Sequence, residues 1–323
     1  MGHRLLPFSP ARYHGRASSR PYFEGWYFKQ SSEDGALVVI PGVFRGADSS
    51  GDTAFIQLIY GSPPRSHYIT YPIYEFSCHS RRFELCIGGN RFSTKDVQLD
   101  IPQIGLSAKL HYTDHMPLRT NIFSPSIMGP FSYIPGLQCN HGVLSLWHSV
   151  QGEMCCNGEK MTFNNADGYI EKDWGEAFPE SWIWMQCGSG GEMLMCSVAS
   201  IPMKAFHFTG LIAVLCTGER QYRFATYNGG RVLGVIRREE GLTVELARGS
   251  YRLCIIARNT HFGSLKAPTK TGMNHDIQES VNCVFDVSLC HGAQTIYSGH
   301  FAQGGLEMLE PDLLLINKAS SLC

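Results

Sequence analysis

The chain has no run of 18 apolar residues, so no continuous hydrophobic segment is built to cross a membrane as a helix. It has no excess of charge of either sign. Lys+Arg 27 against Asp+Glu 28 leaves a formal net charge of -1, which argues against a nucleic-acid partner, since such binders carry a basic face. It has no C-x-x-C pair and no G-x-S-x-G elbow, which removes the common zinc and redox clusters and the α/β-hydrolases. Helical periodicity is poor throughout, and the ambiguous stretch LEMLEPDLLLINK is broken by Pro311.

What is present is apolar and turn-rich. Hydrophobic residues make up 43% and charged residues 17%, enough to bury a large core, and 323 residues suit two domains. The 34 glycines separate short runs such as GALVVIPGVF, TAFIQLIYG, MLMCSVASIP and TGLIAVLC, all of strand length and rich in Val, Ile, Leu and aromatics. The expected class is all-β. Most of the 12 cysteines sit inside apolar runs (Cys196, Cys216, Cys254), where a reduced thiol packs as a small hydrophobe, and this favours a reducing cytoplasm. The amino-terminal arm has basic residues but no apolar h-region and reads as untargeted.

The chain also resembles itself. A shift of 156 residues superimposes Glu24, Trp26 and Gln30 on Glu180, Trp182 and Gln186, Gly35 on Gly191, Thr53 on Thr209, and Thr70-Tyr71 on Thr226-Tyr227. ALVVI then lies over EMLMC. Strands share composition, so some coincidence is expected, but the matches fall at strand and turn positions. The reading is a duplication of two β units, 20–175 and 176–310. Small closed barrels hold side chains or one apolar ligand, and pockets favour domain interfaces, so a site between the halves or in one barrel mouth is expected.

Two local patterns are set aside. His111 and His115 are four apart but lack the glutamate of the helical zinc motif, and Gly188 to Gly191 has no following lysine or helix, so neither a metal nor a phosphate-bearing cofactor is expected.

Acids, histidines and aromatics concentrate in four segments. In Tyr22 to Lys29, strand alternation puts Glu24, Trp26 and Phe28 on one face and Phe23, Tyr27 and Lys29 on the other. A carboxylate among aromatics is either an edge charge or a buried acid with a raised pKa. Ser126 to Gly136 is a turn-rich loop carrying Phe131 and Tyr133. It leads to His141 at the mouth of an apolar strand, a group able to move protons near neutral pH or simply a structural histidine. The densest segment, Gly168 to Gln186, holds Glu171 and Asp173 on one face with Lys172 opposed, followed by Trp174, Trp182, Trp184 and Gln186. Paired carboxylates can split roles, one protonated and one ionised, although a solvated turn with a salt-bridged rim has the same composition.

These strings have a known likeness. FEGWYFK (Phe23 to Lys29), MGPFSYIP (Met128 to Pro135), His141-Gly-Val, GYIEKDWG (Gly168 to Gly175), Phe178-Pro179, Trp182-Ile-Trp184 and Gln186 resemble the tocopherol cyclase family. So do Lys266-Ala-Pro-Thr, Gly272-Met273 and Glu279-Ser280. The resemblance implies two lipocalin-like β units and conversion of a prenylated benzoquinol to a chromanol, an intramolecular lyase of the isomerase class.

Chromanol closure needs an acid that protonates a trisubstituted alkene, and shielding of the tertiary cation until the phenol oxygen attacks. On local chemistry alone, Asp173 or Glu171 is the expected donor, Glu24 a third candidate, and His141 the group that takes or relays the phenolic proton. Trp26, Phe28, Tyr133, Trp174, Trp182, Trp184 and Gln186 are the expected substrate contacts, the tryptophans holding the cation by their faces. The expected partner is an apolar prenylated quinol or related isoprenoid, collected by peripheral membrane contact. Two alternatives remain open: a lipocalin-like carrier with no chemistry, and a hydratase in which water adds to the cation.

Overall fold

Apolar runs punctuated by turns fold as antiparallel strands throughout, and the computed structural model describes residues 10–15, 20–80, 82–203, 206–218, 220–258 and 261–314. Two compact units result. One comprises 1–61, 65–178 and 265–276; the other comprises 62–64, 179–264 and 277–323. The first thus includes a short segment, Leu265–Asp276, from late in the chain, anchored where Gln57 donates to the Lys266 carbonyl at 2.9 Å and receives the Lys266 amide at 2.7 Å.

The strands of the first unit are β1 (Tyr22–Ser32), β2 (Gly35–Arg45), β3 (Thr53–Tyr60), β4 (Arg65–Pro72), β5 (Phe76–Cys78), β6 (Glu84–Ile87), β7 (Asn90–Ser93), β8 (Asp96–Ile101), β9 (Leu106–Met116), β10 (Cys139–Cys156) and β11 (Glu159–Gly175). They form one sheet in the order β4-β3-β2-β1-β11-β10-β9-β8-β7-β6-β5, curled into a nearly closed barrel. Its inner face carries Trp26, Phe28, Val39, Phe92, Tyr112 and Ile170, all buried. Burying this many apolar side chains, at roughly 25 cal/mol per Å² of apolar surface, is the main driving force for closure.

The second unit contains β12 (Ser181–Ser189), β13 (Glu192–Met203), β14 (Phe206–Thr217), β15 (Arg220–Ala225), β16 (Arg231–Arg238), β17 (Gly241–Arg248) and β18 (Tyr251–Arg258). Late in the chain come β19 (Gly263–Thr269), β20 (Gly272–His291) and β21 (Gln294–Leu309). The order is β15-β14-β13-β12-β21-β20-β18-β17-β16, with β19 paired to β20. The sequence self-match sets β1 to β4 against β12 to β15, and each member of a pair holds the same place in its sheet. In both sheets the first strand of the unit pairs with the last long one, β1 with β11 and β12 with β21.

The described cysteines are free thiols, and Cys196, Cys216 and Cys254 are buried among apolar neighbours. Among the described residues no helix is long and apolar enough to cross a membrane.

Candidate functional site

Three consecutive residues of β11 build two different environments. Alternation sends Glu171 and Asp173 to one face and Lys172, with Trp174, to the other. In the register of the sheet, Asp173 lies opposite His141 of β10, and Glu171 opposite Val143. Directly opposed residues on neighbouring strands have touching side chains. His141 Nδ1 is accordingly 2.8 Å from Asp173 Oδ1, while its Nε2 lies 3.3 Å from Glu171 Oε2. Tyr169, two residues earlier on the same face, donates its hydroxyl to Glu171 at 2.5 Å.

The His141 ring is therefore an imidazole clamped by two carboxylates. Its side chain is 12% exposed, that of Glu171 5% and that of Asp173 22%. Burial by itself disfavours the charged ring, but the charges of Asp173 and then Glu171 outweigh it and raise the His141 pKa well above its ordinary value. The ring therefore holds its second proton more tightly than an ordinary histidine does. These three residues are also close enough to hold a metal ion. The ring, however, turns its two nitrogens toward separate carboxylates, which suits a shared proton better than three donors converging on one ion.

His141 faces a pocket of about 290 Å³ in the first unit, lined also by His14, Met128, Tyr133, Asn140 and Trp174. The loop that carries MGPFSYIP forms one wall. The backbone N–H of His141 donates to Met128 Sδ at 3.1 Å, and Tyr133 donates to the Ile122 carbonyl at 2.6 Å. Tyr133 and Ile134 are about half exposed, and Ile122 and Phe123 of the same loop are largely so.

The opposite face of β11 holds a second cluster. Lys172, with no solvent exposure, is 2.6 Å from Glu24 of β1, which is equally buried. Its ammonium also donates to the Arg12 carbonyl, lies 2.9 Å from His14 Nδ1, and sits over the rings of Trp174 at 4.6 Å and Trp26 at 5.3 Å. Glu24 further accepts the Tyr22 hydroxyl and the backbone N–H groups of His14 and Gly15. Desolvation would raise its carboxyl pKa, but Lys172 and His14 reverse that and hold it below the ordinary value. The arm residues reach this place because Gly142 of β10 has no side chain: a Cβ there would lie 2.4 Å from Pro10 Cβ.

The expected site residues thus divide. Asp173, Glu171 and His141 come together, and Trp174 and Tyr133 join His141 at the pocket. Glu24 does not join them. It is a buried carboxylate paired with a lysine on the other face, its pKa lowered, so it is neither the edge charge nor the buried acid with a raised pKa that its surroundings left open. Trp26 and Phe28 are buried in the first barrel, Phe28 against Phe83, Phe92 and Tyr112, and neither lines the pocket.

Trp182, Trp184 and Gln186 are buried on β12 of the second unit. There Trp182 donates to Glu307 at 2.5 Å, and Glu307 lies opposite buried Glu279 in the β20–β21 register. His14 went unnoticed in the sequence because it precedes the first strand, where no alternation assigns it a face.

Residues 124–308 match the family described as tocopherol cyclase-like, a span of more than half the chain. The chain belongs to that family. The cyclase-like chain is 25% identical over 256 residues to the chloroplastic tocopherol cyclase of Zea mays, covering 61% of itself and 53% of the maize protein. It therefore spans about half the length of that relative. The fold of the cyclase-like chain is shared with an AttH protein of Nitrosomonas europaea (TM-score 0.59, 11% identity, 95% of this chain and 97% of that one). It is shared as well with kievitone hydratase of Nectria haematococca (TM-score 0.56, 9% identity, 95% and 93%).

Proposed function

We propose that this tocopherol cyclase-like chain is an isomerase that closes a chromanol ring on a prenylated benzoquinol, using the His141–Asp173 couple as its proton carrier. The supporting observation is the imidazole bridging two carboxylates at 2.8 and 3.3 Å beside a pocket lined by Trp174 and Tyr133. His141 reaches the pocket, and Asp173 and Glu171 stand behind it, holding the ring and its charge.

In the reaction, a proton passes from the couple to the less substituted carbon of the prenyl alkene. The phenol oxygen bonds to the tertiary carbon, its O–H bond breaks, and that proton returns to the couple. No redox partner is consumed. Concerted attack keeps the cation short-lived. This assigns His141 a part in both proton transfers, and it makes Asp173 the group that exchanges the proton with it.

The test is Asp173→Asn assayed with a prenylated benzoquinol. The amide keeps a hydrogen-bonding side chain next to His141 but cannot take the proton, so turnover should fall about 10²- to 10⁴-fold while ligand binding persists. Cyclisation at the parent rate rules the assignment out. Product analysis in isotopically labelled water separates the alternatives: a labelled hydroxyl marks a hydratase, and unchanged ligand marks a carrier.

A further inference from the structure

The connection between β9 and β10, residues 117–138, differs in composition from the rest of the chain. It holds one charged residue, Arg119, and no acid, although 17% of the whole chain is charged. Among the described residues six large apolar side chains stand exposed, and four of them lie here: Ile122 at 75%, Phe123 at 80%, Tyr133 at 49% and Ile134 at 47%. Single apolar residues on a surface need no explanation, but several on one loop mark a contact.

The exposure is built into the loop. Asn121 and Ser124 exchange backbone hydrogen bonds at 3.1 and 3.0 Å, and the Asn121 side-chain oxygen accepts the N–H groups of Phe123 and Ser124 at 2.9 Å. That turn puts Ile122 and Phe123 at its two central positions. Tyr133 braces it from across the loop, donating its hydroxyl to the Ile122 carbonyl at 2.6 Å. Below the turn Ile127 is buried, and the Ser126 hydroxyl meets that of Ser132 at 2.6 Å and accepts the Met128 N–H at 3.0 Å. A fixed base thus carries an apolar tip.

We propose that this tip is a membrane-docking element, which inserts Ile122 and Phe123 among the acyl chains of a lipid surface with Tyr133 at the level of the headgroups. A partner protein is usually met by a polar rim of side-chain donors and acceptors. Here Asn121, Ser126, Ser132 and Tyr133 make hydrogen bonds within the loop itself, as a lipid environment demands of polar groups. No acid stands on the loop to repel anionic headgroups, and Arg119 suits their phosphates. Tyr133 and Ile134 also line the pocket that His141 faces, so docking sets the pocket mouth against the layer in which an apolar ligand dissolves.

The experiment sediments the full chain with phosphatidylcholine vesicles in the absence of substrate, so its outcome does not depend on the cyclase reading. The parent should bind, and adding phosphatidylglycerol should strengthen binding only about a few-fold, since the loop offers one cation. Ile122→Ser combined with Phe123→Ser should weaken binding about tenfold or more. The denaturant midpoint of that variant should match the parent's, because both side chains stand largely in water. Phe123→Trp reports depth: lipids brominated on their acyl chains should quench its fluorescence more than the parent's.

A parent that ignores vesicles, or a serine variant that binds them as well as the parent does, overturns the proposal. Loss of self-association in the serine variant, with no vesicle binding by the parent, makes the tip a contact between copies of the chain instead. The docking and cyclase readings fail separately. Vesicle binding without turnover of quinol leaves docking standing, and turnover of a soluble short-tailed quinol by a parent that ignores vesicles does the reverse.

Discussion

The two faces of β11 spend the same kinds of residue in opposite ways. On the inner face Glu24 and Lys172 pair without contact with water, and the Arg12 carbonyl and His14 Nδ1 also stand against the Lys172 nitrogen. On the outer face one imidazole lies between two carboxyl groups, and its proton is held beside a pocket. A buried ion pair on one face makes a rigid post; a histidine held between two acids on the other makes a proton store. The difference arises at Glu171, Lys172 and Asp173, three neighbours in sequence separated only by the pleat of a strand.

The sharpest way to break this contrast is to unbalance the inner face. Lys172→Met leaves the Glu24 carboxylate buried without its counter-charge, and should cost about 3–5 kcal/mol, read as a lower denaturant midpoint. The variant carrying Glu24→Gln as well removes the stranded charge and should recover much of that loss. If Lys172→Met is as stable as the parent, the inner pair is not the anchor described here.

The outer face should respond to pH instead. The His141 pKa is raised in the folded chain, by Asp173 and Glu171 against the effect of burial. Its contribution to stability is complete below the unfolded histidine value of about 6.5. Above that pH the unfolded chain gives up its proton while the folded one retains it, so stability falls as pH rises toward the folded pKa, by on the order of 1 kcal/mol per pH unit at most. Asp173→Asn removes the largest attraction and should flatten this decline between pH 7 and 9. Denaturant titrations of both proteins across that range give the comparison, and identical slopes would refute it.

How much of this could be read beforehand follows from what is local in a strand. Alternation placed Glu171 and Asp173 together with Lys172 opposed, and Glu24 with Trp26 and Phe28, because the period of two depends only on the chain itself. The self-match likewise sets the segments of β1 to β4 against those of β12 to β15, because a gapless shift compares residues in chain order. Partners were not legible. Nothing in the string FEGWYFK indicates that Glu24 meets a lysine from EKDWG, since the pairing of β1 with β11 joins residues some 150 apart in the chain. An acid flanked by aromatics reads equally as an edge charge or a buried neutral donor for the same reason: its counter-charge is far away in sequence. Trp182, Trp184 and Gln186 were grouped with Trp174 by proximity along the chain, but the unit boundary falls between Phe178 and Pro179.

The smallest test compares two tyrosines that do the same thing on the two faces. Tyr22 donates to Glu24, and Tyr169 donates to Glu171, each from two residues earlier on its own strand. Glu24 keeps Lys172 and two backbone N–H groups when the Tyr22 hydroxyl is lost, so Tyr22→Phe should cost about 1 kcal/mol and leave catalysis alone. Glu171 is one of the two carboxylates that hold the proton on His141. Tyr169→Phe removes the hydrogen bond that Glu171 accepts, leaving its oxygen freer to hold the His141 proton, and should shift the alkaline limb of the activity profile upward by a fraction of a pH unit. Rate profiles for the two phenylalanine variants separate the faces. A shift in Tyr22→Phe equal to that in Tyr169→Phe would mean that the two sides of the strand communicate, and that the post and the proton store are one system.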